Sequence, residues 1–228
     1  MHANSHHISS RQSDVHKDLN VLLAKHLARP FQKPVTDYNR AAFESSVATW
    51  QAAGAKPLIL DAACGVGLSS LHLATQFPEH FVIGVDQSAD RIARNTQWPH
   101  EMPQNFTRVR ANLVDYWRLL LQSGIPLKRH YILYPNPWPK IGHLARHWHG
   151  HAIFPTIVAL GGALECRSNW RIYVEEFSAA LMQVAQQEVQ CLPYVPEQTM
   201  TPFEQKYQTS GHALLRCQIQ LPREKSAE

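Results

Sequence analysis

The chain has 228 residues, 44% hydrophobic and 18% charged, with a formal net charge of +4; this suits one globular domain with a sizeable core, and the mild basic balance fits a polyanionic partner without demanding one. Its four cysteines, Cys64, Cys166, Cys191 and Cys217, form no Cys-x-x-Cys pair, which argues against a disulfide framework or a zinc knuckle. No apolar run approaches the roughly 18 residues of a membrane span, and the polar N-terminus lacks the core of a secretory signal, so no membrane partner is expected and the expected compartment is the cytoplasm.

Residues 1–18 are rich in Ser, His and Asn and predict a flexible tail; residues 19–228 are expected to form one domain with an N-terminal helical extension. A helical period at Val21, Leu22, Leu23 and Leu27 ends at Pro30. A proline-broken lead-in then gives way to a helix carrying Phe43, Val47 and Trp50 on one face. Strand and helix alternate from there. Strands are predicted at Pro57–Asp61, Phe81–Asp86, Phe106–Arg110, His130–Tyr134 and Ala163–Arg167, with a terminal strand at His212–Leu221. Helices are predicted at Leu68–Phe77, Ser88–Gln97, Leu113–Leu121, Ile153–Leu160 and Ile172–Glu188. The pattern predicts an α/β fold: a Rossmann-like, doubly wound, mostly parallel sheet with helices on both faces and an antiparallel C-terminal strand.

The segment Asp61-Ala62-Ala63-Cys64-Gly65-Val66-Gly67 follows an apolar strand and opens a helix. Gly65 and Gly67 permit a tight turn and close approach to a ligand. Asp86 ends the next strand, where an acid can accept hydrogen bonds from ribose hydroxyls. A lone Gly-x-Gly is weak, but the acid before Gly65, the strand–turn–helix context and the second acid coincide. Together they resemble the S-adenosylmethionine-dependent methyltransferase superfamily, which implies that cofactor. A nicotinamide site would want a glycine or alanine at position 70, which is Ser70, and Asp61 would repel a pyrophosphate. A purely structural reading also stands: Asp61 as a turn cap and Gly67 as a packing relief. Asn112, after the third strand, is expected near the adenine or as a turn former.

The segment Tyr134-Pro135-Asn136-Pro137-Trp138-Pro139-Lys140 falls at the carboxyl edge of the sheet, followed by His143 and Arg146. An indole, an amide and basic groups on a stiff segment suit base stacking and phosphate pairing, although Trp138 can equally serve packing. Ser168-Asn169-Trp170, Tyr194-Val195-Pro196, Thr201-Pro202-Phe203-Glu204 and Gly211-His212 follow in order. Over roughly residues 30–221 the chain resembles the bacterial tRNA (guanine-N7)-methyltransferases, which carry Phe-Pro-Asp-Pro-Trp-x-Lys, Thr-Asp-Trp-x-x-Tyr and Thr-Lys-Phe-Glu in these places.

The resemblance implies tRNA as partner and methyl transfer to guanine N7. It implies Asn136 and Glu204 as catalytic positions, and Lys140, His143, Arg146, Asn169 and Thr201 as substrate-binding ones. Asp61, Gly65, Gly67, Asp86 and Asn112 would hold the cofactor. Asn136 and Asn169 stand where the family has Asp; an amide carries no charge and offers a donor as well as an acceptor. Glu204 is therefore expected to supply the acceptor for the guanine edge. The departures leave two alternatives: a paralogue acting on another nucleobase, RNA or small molecule, or a catalytically weak RNA- or cofactor-binding protein. His143, His147, His149 and His151 have no interleaved Cys or carboxylate, so no metal is expected. The sequence is compatible with a monomer or a homodimer.

Overall fold

The computed structural model describes residues 5–94 and 102–222. Seven strands form one sheet: β1 (Leu58–Ala62), β2 (Phe81–Asp86), β3 (Phe106–Arg110), β4 (Leu127–Leu133), β5 (Gly162–Ser168), β6 (Leu192–Tyr194) and β7 (Leu214–Leu221). Their order is β3-β2-β1-β4-β5-β7-β6. β1 to β5 run parallel, and β7 is antiparallel to both β5 and β6. The helices are α1 (Leu19–Ala28), α2 (Asp37–Ala52), α3 (Leu68–Gln76), α4 (Ala89–Ala93), α5 (Leu113–Gln122), α6 (Phe154–Ala159), α7 (Arg171–Ala185) and α8 (Pro202–Thr209). The end of the helix expected over Ser88–Gln97 lies outside the described residues.

The central strands are buried on both faces, so their sequences are continuously apolar rather than alternating. Period-2 geometry still divides them. Leu58 and Leu60 join one core with α1, α2, α5, α6 and α7, whereas Ile59 and Val82 join a second with Leu73 and Ala74 of α3. Helices on both faces make the sheet doubly wound, as the alternation of elements implied. Among the described residues, no helix is long and apolar enough to cross a membrane.

Several details depart from the sequence expectation. The inward face of α1 is Leu19 and Leu23, while Val21 is 73% exposed and Leu27 turned outward. β4 begins at Leu127 and α7 ends at Ala185, where Gln186 takes a left-handed cap conformation. β6 was not anticipated: it has three residues, one of them Pro193. α8 was also missed, although Thr201-x-x-Glu204 is a capping-box pattern with Pro202 at the first helical position. Its Thr201 hydroxyl accepts from the Glu204 amide at 2.9 Å.

Segment 5–18 has no helix or strand of its own and lies along the body through specific contacts. Ser10 Oγ donates to Pro139 O at 2.6 Å, and Gln12 Nε2 donates to Glu176 Oε1 at 2.5 Å.

Candidate active site at the carboxyl edge

The order of strands reverses around β1, with β2 on one side and β4 on the other. Open α/β sheets bind ligands at such a reversal, outside the carboxyl ends of the strands. In parallel register Ala62 faces Val85 of β2 and Ile132 of β4. The turn Ala63–Gly67 therefore lies between Asp86 and the Tyr134–Lys140 loop. Two sequence motifs that begin 73 positions apart, at Asp61 and Tyr134, are brought to one edge by backbone pairing alone.

The turn bends through left-handed positions at Ala63 (φ 62°), Gly65 (φ 60°) and Gly67 (φ 84°). A side chain at Gly67 would collide with Arg108 Cδ at 2.2 Å; Arg108 crosses from β3 and donates to Val66 O. A Cβ at Gly65 would instead meet nothing within 4 Å, so the space above the turn is open. Asp86 Oδ2 accepts from the Gly65 amide at 3.0 Å and Oδ1 from the Ser88 amide at 2.8 Å, which fixes the carboxylate over the turn. Arg91 Nη1 stands 3.6 Å from it. Asp61 is 1% exposed. Its Oδ2 accepts from Ser69 Oγ at 2.6 Å and Ser70 Oγ at 2.7 Å, while Oδ1 is buried with no partner. Burial raises its carboxyl to about 6 against the opposing pull of the two serine hydroxyls.

Tyr134 (φ 50°) and Trp138 (φ 42°) both take left-handed backbone conformations in the second loop. Positive φ is costly for aromatic residues and persists only where surrounding contacts enforce it. Those contacts are identifiable. The Tyr134 amide donates to Arg167 O at 2.9 Å, and its hydroxyl donates to Glu204 Oε1 at 2.8 Å. The Trp138 ring is flanked by the Arg146 guanidinium, 4.7 Å from its centroid, and by the His143 ring at 5.7 Å. Asn136, Lys140 and Arg146 are exposed on this loop and the short 3-10 turn Ile141–Arg146 that follows.

The loop is anchored from below by a buried hub absent from the sequence expectations. Glu176 of α7, 0% exposed, accepts at Oε2 from His149 Nε2 (2.8 Å) and meets His147 Nδ1 there (3.3 Å). Its Oε1 accepts from Gln12 Nε2 (2.5 Å) and the His16 amide (2.9 Å). The other ring nitrogen of His147 lies 3.2 Å from Trp138 O. Burial alone would raise the Glu176 carboxyl, but the His147 and His149 hydrogen bonds hold it well below the usual carboxylate range. Burial lowers His149 to about 4. The three groups have ligand atoms within 4.8 Å of one another, a spacing that a metal ion also fits. The carboxylate nonetheless has a hydrogen-bonding partner on every side, and His149 Nδ1 has no acceptor of the kind that usually orients a ligating imidazole. The sequence signal was there: His147 and His149 alternate as buried residues do, but the carboxylate they share lies 27 residues on.

Three of the expected site residues also have local structural partners. Glu204 is 0% exposed and both its oxygens are engaged, Oε1 by Tyr134 and Arg167 Nη1 (3.0 Å) and Oε2 by the Met200 amide (2.7 Å). These three bonds tie Glu204 to Tyr134 and to the loop that Tyr134 begins. Thr201 caps α8, as described, and is 8% exposed. Asn112 caps α5, accepting from the Val114 amide at 2.9 Å. Each has an oxygen that a nearby helix N-terminus or buried cation claims first. Asn169 follows β5 at the same edge, and its Nδ2 donates to His212 Nδ1 at 3.0 Å.

Residues 55–217 match the family described as "Putative methyltransferase". The chain belongs to this methyltransferase family. Among curated proteins, the methyltransferase is 26% identical to the tRNA (guanine-N(7)-)-methyltransferase of Stutzerimonas stutzeri, with 72% of each chain covered. It is 27% identical to that of Pseudomonas savastanoi pv. phaseolicola, over 70% of this chain and 69% of the relative. Among solved structures, the 16S rRNA methyltransferase KamB superposes with a TM-score of 0.55 at 16% identity, covering 85% of this chain and 98% of that one. A variant of the 16S rRNA (adenine(1408)-N(1))-methyltransferase from Catenulisporales acidiphilia gives 0.54 at 19%, covering 78% and 94%. These likenesses establish a shared fold.

Proposed function

We propose that this methyltransferase transfers a methyl group from S-adenosylmethionine to N7 of a guanine in tRNA. The observation that carries the reading is the register of β1 against β4, which sets the glycine turn beside the aromatic, basic Tyr134–Lys140 loop. Relatives named tRNA (guanine-N(7)-)-methyltransferase support the substrate. The chain fits the cofactor by its own geometry: open space above Gly65, a fixed carboxylate at Asp86 and an orphaned buried acceptor at Asp61 Oδ1. Gly65, Gly67, Asp86 and Asp61 would hold it, and when bound it supplies an electrophilic methyl on a sulfonium.

The chain's part is positioning. Guanine N7 already presents an in-plane lone pair, so no proton need be removed, and holding the base in line is the main task. The proline-stiffened loop, fixed from beneath by His147 and Glu204, supplies a rigid wall for that. Lys140, His143 and Arg146 would hold phosphates, which orient the RNA without reading its sequence. The methylated ring is cationic, and Asn136 and Asn169 meet it with amide dipoles rather than charge. Residues 19–228 would act as one catalytic domain, in the cytoplasm with its tRNA.

The test is methylation of total tRNA by the purified protein, with the product nucleoside identified by mass spectrometry. 7-Methylguanosine is the expected product; its absence defeats the reading. A methylated adenosine would instead favour altered base choice, which the exposed Asn136 suggests, since an amide matches an adenine edge with one donor and one acceptor.

A further inference from the structure

We infer that the His212 ring is the platform on which the target nucleobase stacks, and that His7 of the N-terminal strap fills that position until RNA displaces it. The inference rests on the RNA-methylation reading above and adds a site to it.

His212 precedes β7, and because β7 runs antiparallel to β5, its start lies beside the end of β5 at the carboxyl edge. A column of rings rises there. Phe203 and Tyr207 of α8 stack at 6.2 Å and 25°, Tyr207 and His212 at 5.4 Å and 23°, and His212 and His7 at 4.1 Å and 13°. Tyr134 of the substrate loop packs against the same column, 5.7 Å from Tyr207. His7 therefore lies flat on the outermost fixed ring, at the distance and angle of a stacked heterocycle. Its neighbours in that position are the groups a base would meet.

The orientation of His212 is determined. Asn169 Nδ2 donates to its Nδ1 at 3.0 Å, so its Nε2 carries the proton and donates to Ser5 O at 2.9 Å. One contact belongs to the site and the other to the strap. Removal of the strap would leave a ring held edge-on by Asn169, with one face exposed and an Nε2–H donor free for an acceptor such as a base oxygen or phosphate. An aromatic face with an adjacent donor is the usual means of holding an unpaired base.

The strap is built to leave. It runs from Ser210 and His212 to the Tyr134–Lys140 loop and Glu176 through two hydrogen bonds at Ser5 and one each at Ser10 and Gln12, with Ile8 partly buried against the core. It has no helix or strand, and His7 itself is exposed. Segments held by few, largely polar contacts open at low cost. A basic path of Lys140 and Arg146, with the His143 ring between them, runs from the same loop, so RNA arriving along it would meet the strap at Pro139.

The test is hydrogen exchange of the full-length protein, with and without tRNA, alongside transfer kinetics of His212→Ala, His212→Phe and His7→Ala. Addition of tRNA should speed exchange at residues 5–12, and S-adenosylhomocysteine alone should not. His212→Ala should raise KM for tRNA by about tenfold or more, in keeping with the strength of base–aromatic stacking. His212→Phe should restore it to within about threefold, and His7→Ala should lower KM with kcat retained. Unchanged or slowed exchange at residues 5–12, or a wild-type KM in His212→Ala, overturns the inference; should that variant fail to fold, His7→Ala with a wild-type KM does so. Transfer without faster exchange rejects the platform and leaves the proposed function standing. Faster exchange without transfer rejects the proposed function, and with it the target base the platform would hold.

Discussion

At the scale of single residues, charge is the main chemical difference between this loop and the family pattern it resembles. Asn136 sits exposed on this loop, where the proposed reaction would bring a developing cation. Once bound RNA covers the loop, a preorganised charge there would be worth roughly 1.5–3 kcal/mol over a neutral partner. Asn136→Asp is therefore expected to raise kcat for 7-methylguanosine formation about tenfold to a hundredfold. A single-turnover assay on tRNA measures it, and an unchanged or lower rate would show that amide chemistry suits the true substrate. Glu204 makes the opposite case. Its carboxylate faces Arg167 and Tyr134, all three buried, and loss of one member of such a group leaves a poorly compensated charge. Glu204→Gln should cost about 2–3 kcal/mol of stability, with Glu165 still paired to Arg167 at 2.5 Å. Chemical denaturation reads this directly; a wild-type midpoint combined with a raised KM would return Glu204 to the substrate.

Among elements, α7 governs more than its own packing. Through Glu176 it fixes His147, which in turn meets the Trp138 carbonyl, and it receives Gln12 and the His16 amide from the opposite side. Glu176→Gln should lower stability by about 2–4 kcal/mol and loosen residues 10–16 and 135–140 together. Hydrogen exchange localises the effect; loosening confined to α7 would mean the hub transmits nothing. This pattern also explains what the sequence could and could not disclose. The glycine turn, the acid at Asp86 and the alternation of strands and helices were legible because their signals are local: an apolar run, a bend, an acid at a strand end. The stiff Tyr134–Lys140 loop at the sheet edge was legible because its prolines end a strand. The local partners of Thr201, Asn112 and Glu204 were not legible, because an oxygen's partner depends on three-dimensional neighbours. Ser, Thr, Asn and Glu cap helices and bind ligands with the same atoms. The Glu176 hub was invisible because its four donors come from residues 12, 16, 147 and 149, up to 164 positions away.

For the molecule as a whole, buried titratable groups set the response to acid. Burial lowers His130, whose Nε2 accepts from Trp117 Nε1 at 3.1 Å, to about 3, and His149 to about 4. Below pH 6.5 the unfolded chain takes up protons at these rings that the folded chain refuses, so stability falls as the pH drops from about 6.5 toward 4. Asp61, raised to about 6, opposes them: between pH 6 and 3.8 it binds its proton more readily when folded. Two large downward shifts outweigh one upward shift. Thermal melts should show Tm declining steadily from pH 7 to pH 4, and the decline should shallow in a His130→Phe background. A flat profile would place both imidazoles in water.

The ladder between β1 and β4 has a consequence for divergence. Main-chain amides and carbonyls, common to every amino acid, fix the separation of the two site-bearing loops. Helices on the flanks can exchange most of their side chains, or change length, without displacing either loop. A chain only 16% identical to KamB can thus superpose on it over 85% of its length. Chemistry at the rim is free to drift from carboxylate to carboxamide while the frame holding it stands still.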